Sequence, residues 1–174
     1  MKENLMVVGY DYALTRRVSK GLSDFLDMRL FDMLEMFVFN NAPYKLTEVI
    51  EINGVEYANK EMRGVFKTEL DLTGTVFAAE PKMLGLNRDL FEKLRENNLI
   101  LFLKRSYKND FLFRENMVFK SQIDKDFFKL EIDELAENSI NIENNLADIV
   151  IDIDGLSYDQ IKEEILKTLE KFAG

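Results

Sequence analysis

The sequence predicts an α/β fold in which helices flank both faces of a five-stranded parallel sheet, a three-layer sandwich. Two observations point there. Short, almost wholly apolar runs alternate along the chain with segments of helical period, the rhythm of strand–helix–strand units joined by right-handed crossovers. The strand runs also lack polar alternation, as strands covered on both faces do. At 174 residues the chain has the size of one domain.

The first strand is Leu5–Gly9, and the helix after it carries Val18, Leu22, Phe25 and Leu26 on one face. Arg29–Phe31 is a short second strand. Residues 40–72 read as irregular. Thr75–Ala78 is a third strand. Leu90, Phe91 and Leu94 then mark a helix with Asn87 as its N-cap, closed by Asn97-Asn98. Leu99–Leu103 is the fourth strand. Residues 104–146, rich in Phe, Asp, Asn and Lys, read as helices carrying a mobile loop. Ile149–Ile153 is the fifth strand. Gly155 supplies a turn, and Ser157-Tyr158-Asp159-Gln160 is a capping-box pattern that opens a last helix with Ile161, Ile165, Leu166 and Leu169 on its buried face. Both irregular parts fall over the carboxyl end of the sheet, where ligands bind in such folds.

Composition excludes several functions. With no Cys and no His, thiolate sites are absent and a zinc site is not expected. The commonest general base is missing as well. A net charge of −9, from 23 Lys and Arg against 32 Asp and Glu, opposes nucleic acid as a partner. No apolar run approaches about 18 residues, so no membrane span is expected. Met1-Lys2-Glu3-Asn4 leads straight into a strand rather than a signal peptide. The expected location is the cytoplasm.

The strand–loop–helix at the start is the setting of a phosphate-binding loop, G-x-x-x-x-G-K-[ST]. The loop reads Gly9-Tyr10-Asp11-Tyr12-Ala13-Leu14-Thr15-Arg16. Leu14 stands at the second glycine, Thr15 at the lysine and Arg16 at the Ser or Thr. Such a loop needs inward-turned N–H groups and a close backbone approach. The helix start still offers free N–H groups and partial positive charge. Gly9, Arg16 and Arg17 are therefore the candidate residues for a weak anion site, since Arg grips phosphate bidentately. The competing reading pairs both arginines with carboxylates such as Asp11 or Asp32.

Over nearly its whole length the chain resembles shikimate kinase, a small P-loop enzyme of the nucleoside-monophosphate-kinase type. The resemblance rests on the first 34 residues through Phe31-Asp32, on Lys45–Asn59 (KLTEVIEINGVEYAN) and on Thr75–Leu103. It is strongest over Ala147–Ser157 (ADIVIDIDGLS). It implies a P-loop kinase topology in a single domain over 1–174, with a substrate-side insertion at about 33–72 and a lid-like region at about 104–146. It also implies ATP and magnesium chemistry, with the γ-phosphoryl group passing to shikimate in aromatic amino-acid biosynthesis.

The positions that the resemblance assigns to function are mostly altered. Tyr12 and Leu14 replace glycines and would crowd the anion site, and Asp11 would repel a polyanion. Asp32 matches the carboxylate that helps hold magnesium through water. Its companion, which would receive substrate hydroxyls, is Leu34. The arginine gripping the substrate carboxylate aligns with Asn59, with Arg63 one helical turn on as a substitute. The Gly-rich turn has become Glu80-Pro81-Lys82, which leaves Lys82 as a substrate-side candidate. The second carboxylate-binding arginine falls near Ser139, and Arg114 and Lys120 are the candidates for the lid arginine.

Other features have plainer readings. Asp152 and Asp154 could mimic metal ligands, but strand-end capping explains them better. Phe111, Phe113, Phe119, Phe127 and Phe128 could line a pocket or a dimer face, and core packing explains them better. The cluster Phe31, Met33, Leu34, Met36, Phe37, Val38 and Phe39 suggests an acceptor pocket that is filled or greasy.

The expectation is a shikimate kinase homologue that has lost ATP binding and phosphotransfer. It would act as a non-catalytic binding or regulatory protein, with no cofactor. Its partner would be a protein or a small molecule, a second copy of the chain included. The alternative is an active ATP- and magnesium-dependent small-molecule kinase with a non-standard phosphate loop, using Arg16 or Arg17 in place of the lysine and Asp32 as its catalytic and metal-binding carboxylate.

Overall fold

The computed structural model describes residues 2–44, 46–106 and 137–173. Five parallel strands form one sheet in the order β2-β3-β1-β4-β5. They are β1 Asn4–Gly9, β2 Arg29–Asp32, β3 Thr75–Ala79, β4 Asn98–Lys104 and β5 Ile149–Asp152. The register pairs Val7 with Ala78 and Leu101, and Leu103 with Ile151. Every residue of β1 and β3 is buried, which is why their sequences show no polar alternation.

Helices cover both faces. On one side α1 (Tyr12–Leu26) and α8 (Tyr158–Ala173) pack over Leu5, Val7, Val76, Leu101 and Ile151, with Val18, Leu22, Ile161 and Ile165 as their inner rows. On the other side lie α2 (Met33–Asn40), α3 (Leu46–Asn53), α4 (Val55–Glu69), α5 (Pro81–Gly85), α6 (Phe91–Asn97) and α7 (137–145). They bury Met6, Val8, Phe77, Ile100 and Phe102 together with Phe37, Met62, Phe66 and Leu94. Alternate strand residues thus feed two separate cores.

The last helix begins as its capping box dictates. Gln160 Oε1 accepts from the Ser157 N–H at 2.8 Å, and Ser157 Oγ accepts from the Gln160 N–H at 3.4 Å. Gly155 has φ of 72°, the left-handed region that suits glycine.

Several elements differ from the sequence expectation. Residues 40–72 are largely helical. Ala58, Met62, Val65 and Phe66 recur at helical spacing and are buried, a period masked by the charged residues between them. Phe25 is 64% exposed and Leu26 38%, so the buried stripe of α1 is narrower than its apolar content suggests. Asn87 precedes a 3-10 turn, Arg88–Leu90, without a side-chain capping bond. Its Nδ2 donates instead to Met83 O at 2.7 Å, and α6 starts only at Phe91. Within 104–146, the residues 107–136 lie outside the described residues, and so do the five phenylalanines from Phe111 to Phe128, Arg114 and Lys120. Among the described residues no helix is long and apolar enough to cross a membrane.

Phe102 is fully buried at the centre of β4 and meets the Tyr10 ring edge-on at 6.2 Å. Truncating it should leave a cavity next to a rigid sheet. Phe102→Ala is expected to lower the unfolding free energy by about 3–5 kcal/mol, read as a fall in the urea midpoint at unchanged slope.

Candidate functional site at the start of the first helix

The carboxyl end of β1 leads into α1 through Tyr10 and Asp11 alone. Asp11 is the N-cap. Its Oδ1 accepts the Leu14 N–H at 3.0 Å, and its carbonyl accepts the Thr15 N–H at 2.8 Å and the Thr15 hydroxyl at 2.9 Å. Asp is among the best N-caps because its oxygen satisfies donors the helix leaves open. Tyr12, Ala13 and Leu14, which the phosphate-loop pattern would place in an open loop, are the first residues of the helix. Asp11 is also paired with Arg105, from the chain just after β4, at 3.6 Å.

Thr15, at the position of the motif's lysine, is 1% exposed and turns inward. A Cβ on Gly9 would lie 2.4 Å from its Oγ1 and 3.3 Å from Leu103 Cβ. Gly9 is thus required by the close approach of Thr15 and β4.

Arg16 and Asp32 meet. Asp32 is 7% exposed and sits at the end of β2, where it caps α2 by accepting the Glu35 N–H at 2.9 Å. Arg16 Nε reaches its other oxygen at 2.8 Å, and the same guanidinium holds Glu35 at 3.0 Å. The Tyr12 hydroxyl donates to Asp32 Oδ1 and accepts the Leu34 N–H at 3.2 Å. Burial first, and then the Asp32 carboxylate, hold the Tyr12 phenol protonated well above the ordinary phenol range.

Arg17 behaves differently from either expectation. Its guanidinium lies over the Tyr158 ring at 3.8 Å from the centroid, a cation–π contact between α1 and α8. It pairs with neither Asp11 nor Asp32.

The substrate-side candidates separate. Arg63 donates to Leu86 O at 2.5 Å and to Asp89 at 2.6 Å, and that bond holds the Asp89 carboxyl below its usual range. Asn59 and Lys82 do come together, lining a cleft of 250 Å³ with Gly85, Arg88, Glu137 and Asn138. Arg88 is already engaged by Glu137 at 3.0 Å and Asn138 at 2.8 Å. Met33 and Phe37 lie in the core, with Phe31, Leu34 and Met36 packed against it, whereas Phe39 is 75% exposed. Asp152 accepts the Asp154 N–H at 3.0 Å and Asp154 the Ser106 N–H at 3.0 Å. These two carboxylates tie down the strand end.

Sequence reasoning missed the capping role of Asp11, the Tyr12–Asp32 bond and the contribution of Arg105. The first was detectable, since an Asp directly before a helical pattern is a start signal. The other two join residues far apart in the chain.

Neither a family model nor a curated protein matches the sequence. Solved structures do match. Shikimate kinase from Aquifex aeolicus superposes with a TM-score of 0.74 at 20% identity, over 98% of each chain. The enzyme from Bacteroides thetaiotaomicron gives 0.73 at 14% identity, again over 98% of each. The enzyme from Acinetobacter baumannii, solved in complex with shikimate, gives 0.76 at 12% identity, over 98% of this chain and 94% of that one. The chain has the shikimate kinase fold. A gluconokinase from Sinorhizobium meliloti shares the likeness, with a TM-score of 0.57 at 11% identity, over 98% of this chain and 94% of that one. Within the shikimate kinase fold, the Asp11 cap and the Arg16–Asp32–Tyr12 cluster occupy the carboxyl ends of β1 and β2.

Replacing Asp11 by Ala should cost about 1 kcal/mol, the usual loss of a cap. Asp32→Ala should cost about 3 kcal/mol, because it strips a buried partner from Tyr12 and Arg16 together with a cap; urea unfolding at neutral pH measures both. The raised Tyr12 phenol means the folded state keeps a proton that the unfolded chain releases near pH 10. Its contribution is therefore complete below about pH 10 and declines as the pH rises further. Tyr12→Phe should lose stability less steeply than the native chain between pH 9 and about 11, seen in urea midpoints across that range.

Proposed function

We propose that this chain is a kinase-fold protein that acts by binding rather than by phosphoryl transfer, using neither ATP nor magnesium. The observation that carries this reading is the Asp11 carboxylate at the start of α1, bonded to the Leu14 N–H at 3.0 Å. A triphosphate would bring its charge to a helix terminus that already holds an anion. The surrounding residues do not fit the nucleotide either. Thr15 is uncharged and buried. The Asp32 oxygens are taken by Tyr12, the Glu35 N–H and Arg16, and Arg16 is divided between Asp32 and Glu35. Phosphoryl transfer rests almost wholly on positioning and charge neutralisation, and each 1.4 kcal/mol lost is about tenfold in rate.

The polar cleft of Asn59 and Lys82 supports a binding role on the acceptor side. The acidic surface argues for a partner that is neither nucleic acid nor membrane. The absence of Cys accords with a cytoplasmic protein.

Titration calorimetry with ATP or ADP and excess magnesium should give no saturable heat at millimolar nucleotide. A coupled assay with ATP and shikimate should give no turnover above the buffer blank. Saturable binding at micromolar nucleotide, or turnover that follows enzyme concentration, would overturn the reading.

A further inference from the structure

Beyond the nucleotide and acceptor ends of the fold, the side edge of the sheet carries a second feature. Strand β5 is the last in the sheet and pairs only with β4. Among the described residues its outer edge meets no strand, so a row of main-chain donors and acceptors faces outward there. Beside it runs a groove of 490 Å³ between β5 and α8. Val150 and Leu156 reach into this groove, 40% and 36% exposed, while the flanking Ile149 and Ile151 are 4% and 5% exposed in the core. Val150 and Leu156 thus leave a narrow apolar strip beside the strand edge.

The groove is also charged on one side. Among the described residues, Asp152, Glu163 and Glu164 line it against one cation, Lys167. That ammonium is bound to Glu163 at 2.7 Å. The nearest cation on the neighbouring strand, Lys104, is bound to Glu143 at 2.7 Å. The groove therefore keeps an excess of negative charge.

We propose that this groove binds an extended segment of another protein, in which apolar residues alternate with Lys or Arg. The segment adds as a sixth strand beside β5. Its main chain pairs with the open edge; its side chains on one face lie along Val150, and those on the other face, the α8 side, meet the carboxylates of Glu163 and Glu164. Strand addition into a groove between a sheet edge and a helix is an established recognition mode, with main-chain bonds giving affinity and alternate side chains giving specificity. The carboxylates select a basic segment over a second copy of this chain, because a copy brings the same acidic edge to the contact. The inference stands apart from the nucleotide reading and is tested without nucleotide.

The probe is a fluorescein-labelled eight-residue peptide alternating Lys and Val, titrated with the protein and followed by fluorescence polarisation at low salt. Saturable binding is expected, weakened at least tenfold when Glu164 is replaced by Lys or when the salt is raised. Glu164 is exposed on α8, so the variant should fold, and its circular dichroism checks this. A peptide of the same sequence, N-methylated at every second residue in either of the two alternations, decides the geometry. At least one of the two should lose binding, because it loses the main-chain bonds while keeping every side chain. Undiminished binding of both would overturn strand addition, and no saturable binding of the parent peptide would overturn the site. Sedimentation showing a dimer that the peptide dissociates would assign the groove to a second copy and overturn the proposed occupant.

Discussion

Asp32 stands at the end of β2 with 4% of its side chain exposed, and its two oxygens receive a phenol, a main-chain N–H and a guanidinium. A buried carboxylate is tolerable only when its desolvation is offset by such donors. Those donors come from three residues on two helices: Tyr12 and Arg16 of α1, and Glu35 of α2. The arrangement of the strand ends depends on this one charge. It sets the entry of α2, joins α1 to the far edge of the sheet and orients the Tyr12 ring between them. Arg16 adds a second link outward to Glu35, at 3.0 Å on the exposed side, where the pair contributes little.

Asp11 completes the same design at the neighbouring strand. A helix start exposes donors and partial positive charge. At the start of α1 a side chain of the preceding loop meets them. Arg105 lies 3.6 Å from the same carboxylate and moderates its charge. Gly9 and Thr15 belong to this arrangement too. The glycine is needed for the threonine's close approach, and the threonine hydroxyl bonds back to the Asp11 carbonyl. Gly9 is thus accounted for by packing.

The scaffold beneath these contacts is ordinary for its class. Two apolar cores share one sheet, and alternate residues of β1, β3 and β4 serve opposite faces. The covering helices divide unequally, α1 and α8 on one side and the rest on the other. That division leaves β5 with its outer edge bare beside α8 among the described residues. The described residues thus present the Asp11-capped helix start, the polar cleft around Asn59 and Lys82, and the acidic groove along β5.

The sequence by itself determined the five strands, their parallel arrangement in an α/β sandwich, the capping box at Ser157 and the absence from residues 9–16 of the second glycine and the lysine of G-x-x-x-x-G-K-[ST]. Each of these is written in local pattern: unbroken apolar runs such as Leu5–Val8, a helical row such as Ile161 and Ile165, and residue types whose backbone freedom or charge is intrinsic. Residues 40–72 were legible in part, since Ala58, Met62, Val65 and Phe66 keep the helical period but lie among charges that obscure it. Only the tertiary structure decided that Arg16 belongs to Asp32, Arg17 to the Tyr158 ring and Arg63 to Asp89. It alone brought Asn59 beside Lys82. A side chain's partner depends on which chain segments the fold brings within a few ångströms, and local sequence carries no record of that.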